Sequence, residues 1–268
     1  MGRFAGREIR KAILDMAFSG ATVHIGCAFS IVEVVAVLYR NHLRIDPEHP
    51  RAPDRDYLVL SKGHGVMAQY ACLREHGVLS EAAIAAYFRD GSLLKGLADA
   101  HIPGVDATCG SLGHGLSVAT GLALAAKRHG TEQKVYAIVG DGELDEGAVW
   151  EAMLFASQFQ LDNLIVVVDK NGFQAMGSTD EVLALGDIEG KFRAFGCDAV
   201  TVDGHDEQAL DDAYTRMKQA ANGRAKAIVA VTVKGKGVSF MEHNNVWHYT
   251  RLTAETHAAA VRELEYPA

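Results

Sequence analysis

The residue types best suited to chemistry in this chain are a carboxylate and an amide that each follow an apolar run. Asp141 lies in the turn Gly140-Asp141-Gly142, directly after residues 135–139, and Asn171 follows the apolar residues 164–168. One carboxylate plus one amide oxygen is a sparse set of hard ligands, which suits magnesium or calcium and leaves positions for a bound phosphate. The pattern therefore indicates a metal site that also receives a phosphate group.

Two strands joined by a helix would bring these side chains together. Residues 135–139 and 164–168 are unbroken apolar runs, typical of buried parallel strands, and residues 146–159 between them carry helix-forming residues. The right-handed crossover of such a unit sets its two strands side by side or nearly so. Both polar side chains then lie just past the carboxyl ends of their strands, where open α/β sheets bind ligands.

The turn at Gly140-Asp141-Gly142 also favours an anion. Its glycines let the backbone approach a phosphate closely, and the N-terminus of the following helix favours negative charge. The alternative is a structural turn in which Asp141 only caps the helix and Asn171 lies in an ordinary turn. Because both signals occur on one complete strand–helix–strand unit, the functional interpretation is favoured.

Composition narrows the class of protein. A length of 268 residues fits one large α/β domain. The chain has 26 basic and 34 acidic side chains, and its formal charge of -8 disfavours nucleic acid as the main partner. The chain has no signal-peptide pattern and no apolar run long enough to span a membrane. Four cysteines without CxxC spacing favour a reduced, cytoplasmic setting.

The remaining pattern alternates strands and helices. Further strands are predicted at residues 57–60, 197–202 and 227–233, and helices at residues 9–18, 30–41, from 66 onward, 79–88, 116–129, 191–195, 207–220 and 253–265. Residues 22–26 are predicted to be a loop, and residues 173–181 to form a lid over the phosphate site.

Several ordered motifs resemble the N-terminal part of the transketolase family. Gly140-Asp141-Gly142 followed by Asn171 is similar to the thiamine diphosphate fingerprint, and residues 60–64 and 107–115 match two further family segments. Residues 240–248 end in Trp-His, as in split transketolases. The resemblance implies a three-layer, doubly wound α/β fold with a mainly parallel sheet, forming a single diphosphate-binding domain over residues 1–268.

The resemblance also implies a ligand set. Asp141, Asn171 and the backbone carbonyl of Phe173 would hold magnesium, or calcium or manganese in its place, which bridges to the diphosphate of thiamine diphosphate. The residues expected to contact this cofactor are His64, Gly110, Ser111, Leu112, Gly140, Asp141, Gly142, Glu143, Asn171, Phe173, Lys234 and His248.

Catalytic and substrate roles follow from the same resemblance. The catalytic candidates are His24, His64, His248 and Glu146, and the substrate candidates are His24, Arg89, His101 and His248. Structural alternatives remain open: a lone loop histidine is usually a surface residue, Arg89 suits a helix C-terminus, and Glu146 suits the first turn of a helix.

Two positions depart from the family pattern. Family members often have Gly-His-Pro where this chain has Gly96-Leu97-Ala98, and Gly where it has Tyr249. The first departure affects a contact to the donor sugar. His101, four residues after Leu97, is expected to compensate, or the donor differs from an ordinary ketose phosphate.

The implied activity is transfer of a two-carbon ketol unit from a ketose or ketose phosphate to an aldose. The glutamate that protonates the cofactor ring belongs to another domain of the family, so the resemblance implies a separate C-terminal subunit in an α2β2 assembly. The alternatives are a pathway-specific ketol or acyl transferase, or a catalytically idle regulatory homologue. A nicotinamide-binding protein is disfavoured because no G-x-G-x-x-G opens the first strand–helix unit.

Overall fold

The strands form where aliphatic and β-branched residues cluster. The structure is a computed structural model that describes residues 3–266. Its strands are β1 (Tyr57–Leu60), β2 (Val135–Gly140), β3 (Leu164–Lys170), β4 (Phe173–Gln174), β5 (Gly177–Ser178), β6 (Asp198–Asp203) and β7 (Lys226–Val231). Five of them form a parallel sheet in the order β1-β2-β3-β7-β6, while β4 and β5 form a separate antiparallel pair.

The register of β2 and β3 places the predicted ligands together. Gly140 at the end of β2 pairs with Asp169 near the end of β3, and the Asp141 N–H donates to the Asp169 carbonyl at 3.1 Å. Asp141 and Asn171 therefore leave adjacent strands at the same edge of the sheet. The expectation that these two strands lie side by side is confirmed.

Helices cover both faces of the sheet, because the central strands are buried on both sides. The α-helices are α1 (Gly6–Ser19), α2 (Ile25–Phe29), α3 (Val32–Val37), α4 (Val66–His76), α5 (Glu81–Ala85), α6 (His114–Arg128), α7 (Gly147–Gln158), α8 (Thr179–Val182), α9 (Ile188–Ala194), α10 (Glu207–Gln219) and α11 (Ala254–Glu265). The predicted doubly wound, mainly parallel α/β fold is confirmed.

Some predicted boundaries are wrong. The loop predicted at residues 22–26 already enters α2 at Ile25, after His24 takes a left-handed conformation with φ 69°. The helix predicted over residues 30–41 is α3 followed by a π-helical turn. The helix predicted over residues 79–88 is only the short α5, because Phe88 turns the chain with φ 57°.

The structure bears on membrane-spanning helices and on the state of the cysteines. No helix among residues 3–266 is long and apolar enough to cross a membrane. All four cysteines, Cys27, Cys72, Cys109 and Cys197, are free and buried.

A buried ion pair connects α1, α3 and the loop after β6. The Arg10 guanidinium contacts both oxygens of Glu33, with Nη2 2.8 Å from Oε2, and His205 Nδ1 lies 2.9 Å from the same oxygen. The Val233 N–H donates to His205 Nε2 at 2.8 Å, so the ring hydrogen lies on Nδ1 and is donated to Glu33. Burial would raise the pKa of Glu33, but the His205 and Arg10 contacts lower it to about 2.

Replacing the buried carboxylate should destabilise the fold. We expect Glu33→Gln to lower the free energy of unfolding by about 3–5 kcal/mol at pH 7, since Arg10 is left without its counter-charge. The folded-state pKa of Glu33, about 2, lies below its ordinary value of 4.5. Its contribution is therefore complete above pH 4.5 and is lost as the pH falls toward 2.

Urea unfolding at a series of pH values measures both effects. Glu265→Gln, which removes a half-exposed partner of Lys11, is the control and should change stability by less than about 0.5 kcal/mol. Equal stability losses in the two variants would contradict the structural role of Glu33.

Candidate functional site

A pocket of about 570 Å³ opens at the carboxyl ends of the central strands. Most of the predicted site residues line it. They are His24, His64, Gly110, Leu112, Gly140, Asp141, Gly142, Glu143, Glu146, Asn171, Phe173 and His248. These predicted site residues come from six separate segments of the chain and lie together in one cavity.

The floor of the pocket is organised by Asp169, a fully buried residue. Its carboxylate accepts hydrogen bonds from Ser30 Oγ at 2.7 Å and Asn171 Nδ2 at 2.7 Å, and also from Lys62 Nζ and Thr232 Oγ1. These four partners come from the α2–α3 connection and from the ends of β3, β1 and β7. One buried charge therefore sets the relative positions of four segments.

Lys62 is the counter-ion of Asp169. It is 1% exposed, and its ammonium also donates to the Cys27 carbonyl at 3.0 Å. Burial favours the neutral form of each group, yet the Lys62 charge and the hydrogen bonds hold the pKa of Asp169 below its usual range. Burial likewise opposes the charge on Lys62, and the Asp169 carboxylate holds the pKa of Lys62 above its usual range. Both groups are therefore charged at neutral pH.

Asp141 has no such counter-ion. Its side chain accepts hydrogen bonds from the backbone N–H groups of Gly172 at 2.6 Å and Gly142 at 2.9 Å, and it is 1% exposed. Within residues 3–266 no basic side chain forms an ion pair with it. Burial and the nearby Asp169 charge raise the pKa of Asp141 to about 7. A buried carboxylate of this kind is typical of a cation site.

The amide of Asn171 is oriented by its neighbours. Its Nδ2 donates to Asp169, and its Oδ1 accepts from the Phe173 N–H at 3.0 Å. Because a carboxylate can only accept, the amide oxygen must lie on the side away from Asp169. The oxygen of Asn171 and the carboxylate of Asp141 thus form a hard-oxygen pair at adjacent strand ends, which fits a divalent cation.

The Glu143 carboxylate is held by hydrogen bonds from within the protein. It accepts hydrogen bonds from Ser61 Oγ, from the Gly113 N–H at 2.8 Å and from the Gly140 N–H at 3.1 Å. It therefore joins the turns after β1 and β2 to the start of α6. Although it lines the pocket, both of its oxygens are already engaged by the protein.

Three histidines cluster in the lining of the pocket. The ring centroids of His24, His64 and His248 are separated by 5.2, 5.5 and 5.7 Å. Burial, together with the positive charges of Lys62 and Lys234, lowers the pKa of each ring, in the case of His248 to about 3. All three rings are therefore neutral near pH 7 and able to act as hydrogen-bond donors or acceptors.

The tautomer of His248 follows from Lys234. Lys234 Nζ lies 2.8 Å from His248 Nδ1 and donates to Asn245 Oδ1 at 2.8 Å. Since an ammonium only donates, Nδ1 of the neutral ring accepts and Nε2 carries the hydrogen. Lys234 is fully buried and is not among the residues that line the pocket. Lys234 therefore orients His248 from outside the pocket.

Some predicted residues lie elsewhere. Arg89, His101 and Ser111 are exposed and do not line the pocket, and the His101 side chain is 91% exposed with Nδ1 2.7 Å from Asp99. The structure therefore gives His101 no contact through which to replace the missing family histidine. Leu97 itself lines the pocket at that position.

Sequence reasoning assigned no role to Lys62 or Asp169. Both lie inside the motifs on which the site was predicted, but only the fold shows that they meet beneath the pocket. The lid predicted at residues 173–181 corresponds to the β4–β5 hairpin and α8, and Ala175, Met176 and Val182 line the pocket. Asn245 Nδ2 donates to the Ala175 carbonyl at 3.3 Å and ties this segment to the Trp-His turn.

The described residues form a parallel α/β domain in which a Gly-Asp-Gly turn and the amide of Asn171 lie at the ends of adjacent strands. Residues 5–267 match the family described as transketolase, thiamine diphosphate binding domain. The chain belongs to the transketolase family, a family of transferases.

Two relatives illustrate the similarity. A 6-deoxy-6-sulfo-D-fructose transketolase subunit from Clostridium sp. (strain MSTE9) is 42% identical, over 96% of this chain and 94% of that protein. One of the subunits of an apulose-4-phosphate transketolase from Phocaeicola vulgatus is 36% identical, over 95% of this chain and 90% of that protein.

Solved structures of transketolases superpose closely on this chain. A transketolase from Leishmania mexicana superposes with a TM-score of 0.90 at 30% identity, covering 97% of this chain. A transketolase from Campylobacter jejuni gives a TM-score of 0.91 at 28% identity. The chain spans 40% and 42% of the length of these two proteins.

The buried Lys62–Asp169 pair should show strong energetic coupling. We expect Lys62→Met and Asp169→Asn each to lower the free energy of unfolding by about 3–5 kcal/mol, because each leaves the other group without its partner. The double variant should cost less than the sum of the two, by about 1–3 kcal/mol.

Urea unfolding of the four proteins in this double-mutant cycle measures the coupling. The more exposed pair Lys127–Asp162 supplies a matched cycle, in which the coupling should be below about 1 kcal/mol. Simple additivity at Lys62 and Asp169 would show that Asp169 does not depend on the lysine.

Proposed function

We propose that this chain is the diphosphate-binding subunit of a two-component transketolase that transfers a two-carbon ketol unit from a ketose to an aldose. The observation that carries the proposal is the buried Asp141 carboxylate, which lacks a counter-ion and lies beside the oriented amide of Asn171. Family membership and the names of the relatives support the reaction type.

Asp141, the Asn171 amide oxygen and the Phe173 carbonyl are the proposed metal ligands, with magnesium as the metal. The backbone of Gly140 and Gly142, together with His64 and His248, would bind the diphosphate of thiamine diphosphate. When bound, this cofactor supplies an electron sink for cleavage of a carbon–carbon bond. Gly110 and Leu112 line the cavity on the side expected to contact the cofactor ring.

The three neutral histidines would handle substrate oxygens and protons. Because its Nδ1 accepts from Lys234, His248 presents an Nε2–H that can donate to a phosphate or sugar oxygen. His24 has no hydrogen bond to another side chain within residues 3–266, which leaves both of its nitrogens for the substrate. A neutral imidazole can accept a proton from a hydroxyl and return it.

A separate C-terminal subunit is the proposed partner, in an α2β2 assembly. The chain exposes apolar side chains on α6, α7 and the lid, including Val118 at 45%, Leu154 at 60% and Met176 at 78%, and of these Met176 lines the pocket. Exposed apolar surface of this extent is typical of a protein interface. Glu146 is exposed at the pocket and would face the partner, where the resemblance places its bond to the catalytic glutamate.

The second candidate is a pathway-specific ketol transferase of the same cofactor class. Leu97 places an apolar group in the pocket where family members often have histidine. The relatives named for apulose 4-phosphate and for 6-deoxy-6-sulfo-D-fructose make a specialised ketose a reasonable donor class. A catalytically idle homologue is disfavoured because the residues proposed to hold the metal and the diphosphate all line one pocket. A cytoplasmic location is proposed from the four free, buried thiols.

Metal-dependent cofactor binding tests the assignment of Asp141. We expect titration calorimetry with thiamine diphosphate and magnesium to give tight binding to the chain together with its co-purified partner. Asp141→Asn should weaken it by at least about 100-fold, because the amide is a neutral, weaker ligand.

Asp212→Asn removes the same charge from the exposed surface of α10, outside the pocket, and should change the affinity by less than about threefold. Equal affinities for Asp141→Asn and the unchanged protein would refute the metal site. Binding of equal strength without the partner would refute the shared site.

The histidines should separate into two kinetic classes. We expect His24→Ala to lower kcat/KM for ketol transfer by roughly 10²–10⁴-fold, because a proton-transfer group is lost, with little change in cofactor affinity. His64→Ala should weaken cofactor binding as well, because His64 is proposed to contact the diphosphate.

Steady-state kinetics and cofactor titration with the assembled enzyme measure both quantities. His49→Ala, at a side chain that is 72% exposed, is the control and should leave both unchanged. His101→Ala discriminates between expectations, since a loss of activity would support the compensating role predicted from sequence. If His24→Ala altered cofactor affinity alone, His24 would not be a substrate-contacting residue.

A further inference from the structure

Tyr249 follows His248 directly, at a position where family members often have glycine. Its side chain is 73% exposed at a second cavity of about 400 Å³, and this outer cavity meets the main pocket at His24, which lines both. Tyr249 lines the outer cavity but not the main pocket, so it does not belong to the proposed metal or diphosphate site. The proposed function therefore leaves this ring without a role.

The backbone of Tyr249 is fixed by the turn that carries it. The preceding residue, Trp247 at the second position before His248's neighbour, is buried, and its ring N–H donates to a backbone carbonyl at 3.1 Å. The Tyr249 N–H donates to the Val246 carbonyl at 3.3 Å, and the Thr250 hydroxyl donates to the same carbonyl at 2.7 Å. The turn therefore holds the backbone of Tyr249 in one position.

The ring of Tyr249 packs against the ring of His24. The ring centroids are 5.6 Å apart and the ring planes are inclined at 74°, an edge-to-face arrangement. The His248 ring contacts His24 in a similar way, with a centroid distance of 5.5 Å and an interplanar angle of 85°. Two consecutive residues of one turn thus place their rings against His24.

The position of the His24 side chain depends on such ring contacts. Within residues 3–266 its imidazole forms no hydrogen bond to another side chain. Its backbone is left-handed, with φ 69°, just before α2 begins. The third ring neighbour is His64, at a centroid distance of 5.2 Å. Of the three ring neighbours, Tyr249 alone has no proposed contact to the cofactor or the substrate.

We propose that Tyr249 is a positioning residue that holds the His24 imidazole in place for the substrate through ring packing. The inference rests on the proposed function, since it assumes that His24 contacts the substrate. Displacement of a proton-transfer group lowers the rate of the chemical step, so a contact to His24 alone affects turnover. The Tyr249 hydroxyl forms no hydrogen bond within residues 3–266, which leaves the ring to supply the contact.

Tyr249 also covers His24 against water. Burial, followed by the charges of Lys234 and Lys62, lowers the pKa of His24 below its usual value of 6.5. Loss of the Tyr249 ring would admit water beside the imidazole and so raise this pKa. The other charged or titratable groups near His24 are unchanged by a substitution of Tyr249, and they are Lys62, His64, Lys95, Lys234, His248 and Arg251.

Steady-state kinetics of the assembled enzyme with Tyr249→Ala and Tyr249→Phe test the proposal. We expect Tyr249→Ala to lower kcat for ketol transfer by roughly 3–10-fold with KM within about twofold, because a contact to His24 is lost while the substrate contacts remain. Since His24 is neutral only above its pKa, the acid limb of the pH profile should move to higher pH. Tyr249→Phe keeps the ring and should restore kcat to within about twofold and the acid limb to its original pH.

NMR of the assembled enzyme, isotopically labelled in its histidine rings, reports on His24 directly, and His24→Ala identifies its signal. In Tyr249→Ala the His24 Cε1–H signal should lose the ring-current shift caused by the tyrosine, and the pKa of His24 should rise toward 6.5. In Tyr249→Phe neither quantity should change. A residue that only stabilised the fold would move neither of them.

Tyr266→Ala is the control, because it removes a tyrosine of similar exposure, 79%, that lines neither cavity. It should leave kcat, the pH profile and the His24 signal unchanged. Equal losses in Tyr249→Ala and Tyr249→Phe would overturn the proposal, because they would assign the effect to the hydroxyl. An unchanged kcat in Tyr249→Ala would also overturn it, as would a rise in KM alone.

Failure of the proposed function gives a different result, because the unchanged enzyme would then transfer no ketol unit. The NMR measurement decides the proposal in that case. A His24 signal that moves in Tyr249→Ala but not in Tyr249→Phe would support positioning of the imidazole by the ring. A signal that moves in neither variant would overturn it.

Discussion

The structure of the site depends on one buried ion pair. Asp169 accepts hydrogen bonds from Ser30, Lys62, Asn171 and Thr232, and so joins the ends of β1, β3 and β7 to the α2–α3 connection. Two charges placed in the interior are costly unless both are paired and hydrogen-bonded. Here every oxygen of the carboxylate is engaged, so the arrangement has little freedom to change. Asp141 and Asn171, at the ends of the strands, are therefore also held in fixed positions.

The charges of Lys62 and Asp169 shift the pKa values of neighbouring groups in opposite directions. The same lysine that holds Asp169 charged also disfavours protonation of the three histidines, while Asp141, nearby but without a counter-ion, is pushed toward its neutral form. The site therefore favours an anion near its lysines and a cation near Asp141. A diphosphate that arrives with a divalent metal meets both requirements, which agrees with membership of the transketolase family.

The sheet and the positions of Asp141 and Asn171 at adjacent strand ends could be predicted from sequence, because strand-end motifs depend on local patterns that parallel sheets use repeatedly. Helix boundaries near His24 and Phe88 could not be predicted from sequence, since both residues take left-handed conformations that their residue types do not indicate. Lys62 and Asp169 lie 107 positions apart, and only the strand order brings them together. His101 shows that closeness along the chain to Leu97 does not by itself place a side chain in the pocket.

The orientation of Asn171 limits the charge that the proposed metal site can carry. Because its amide must donate to Asp169, an aspartate at this position would place two carboxylates against each other, and the residue has to remain neutral. The side chains therefore offer a divalent cation a single formal negative charge. Cation affinity falls with the number of charged ligands, so the metal alone should be held weakly. Retention of the metal would then depend on the oxygens that the diphosphate itself brings.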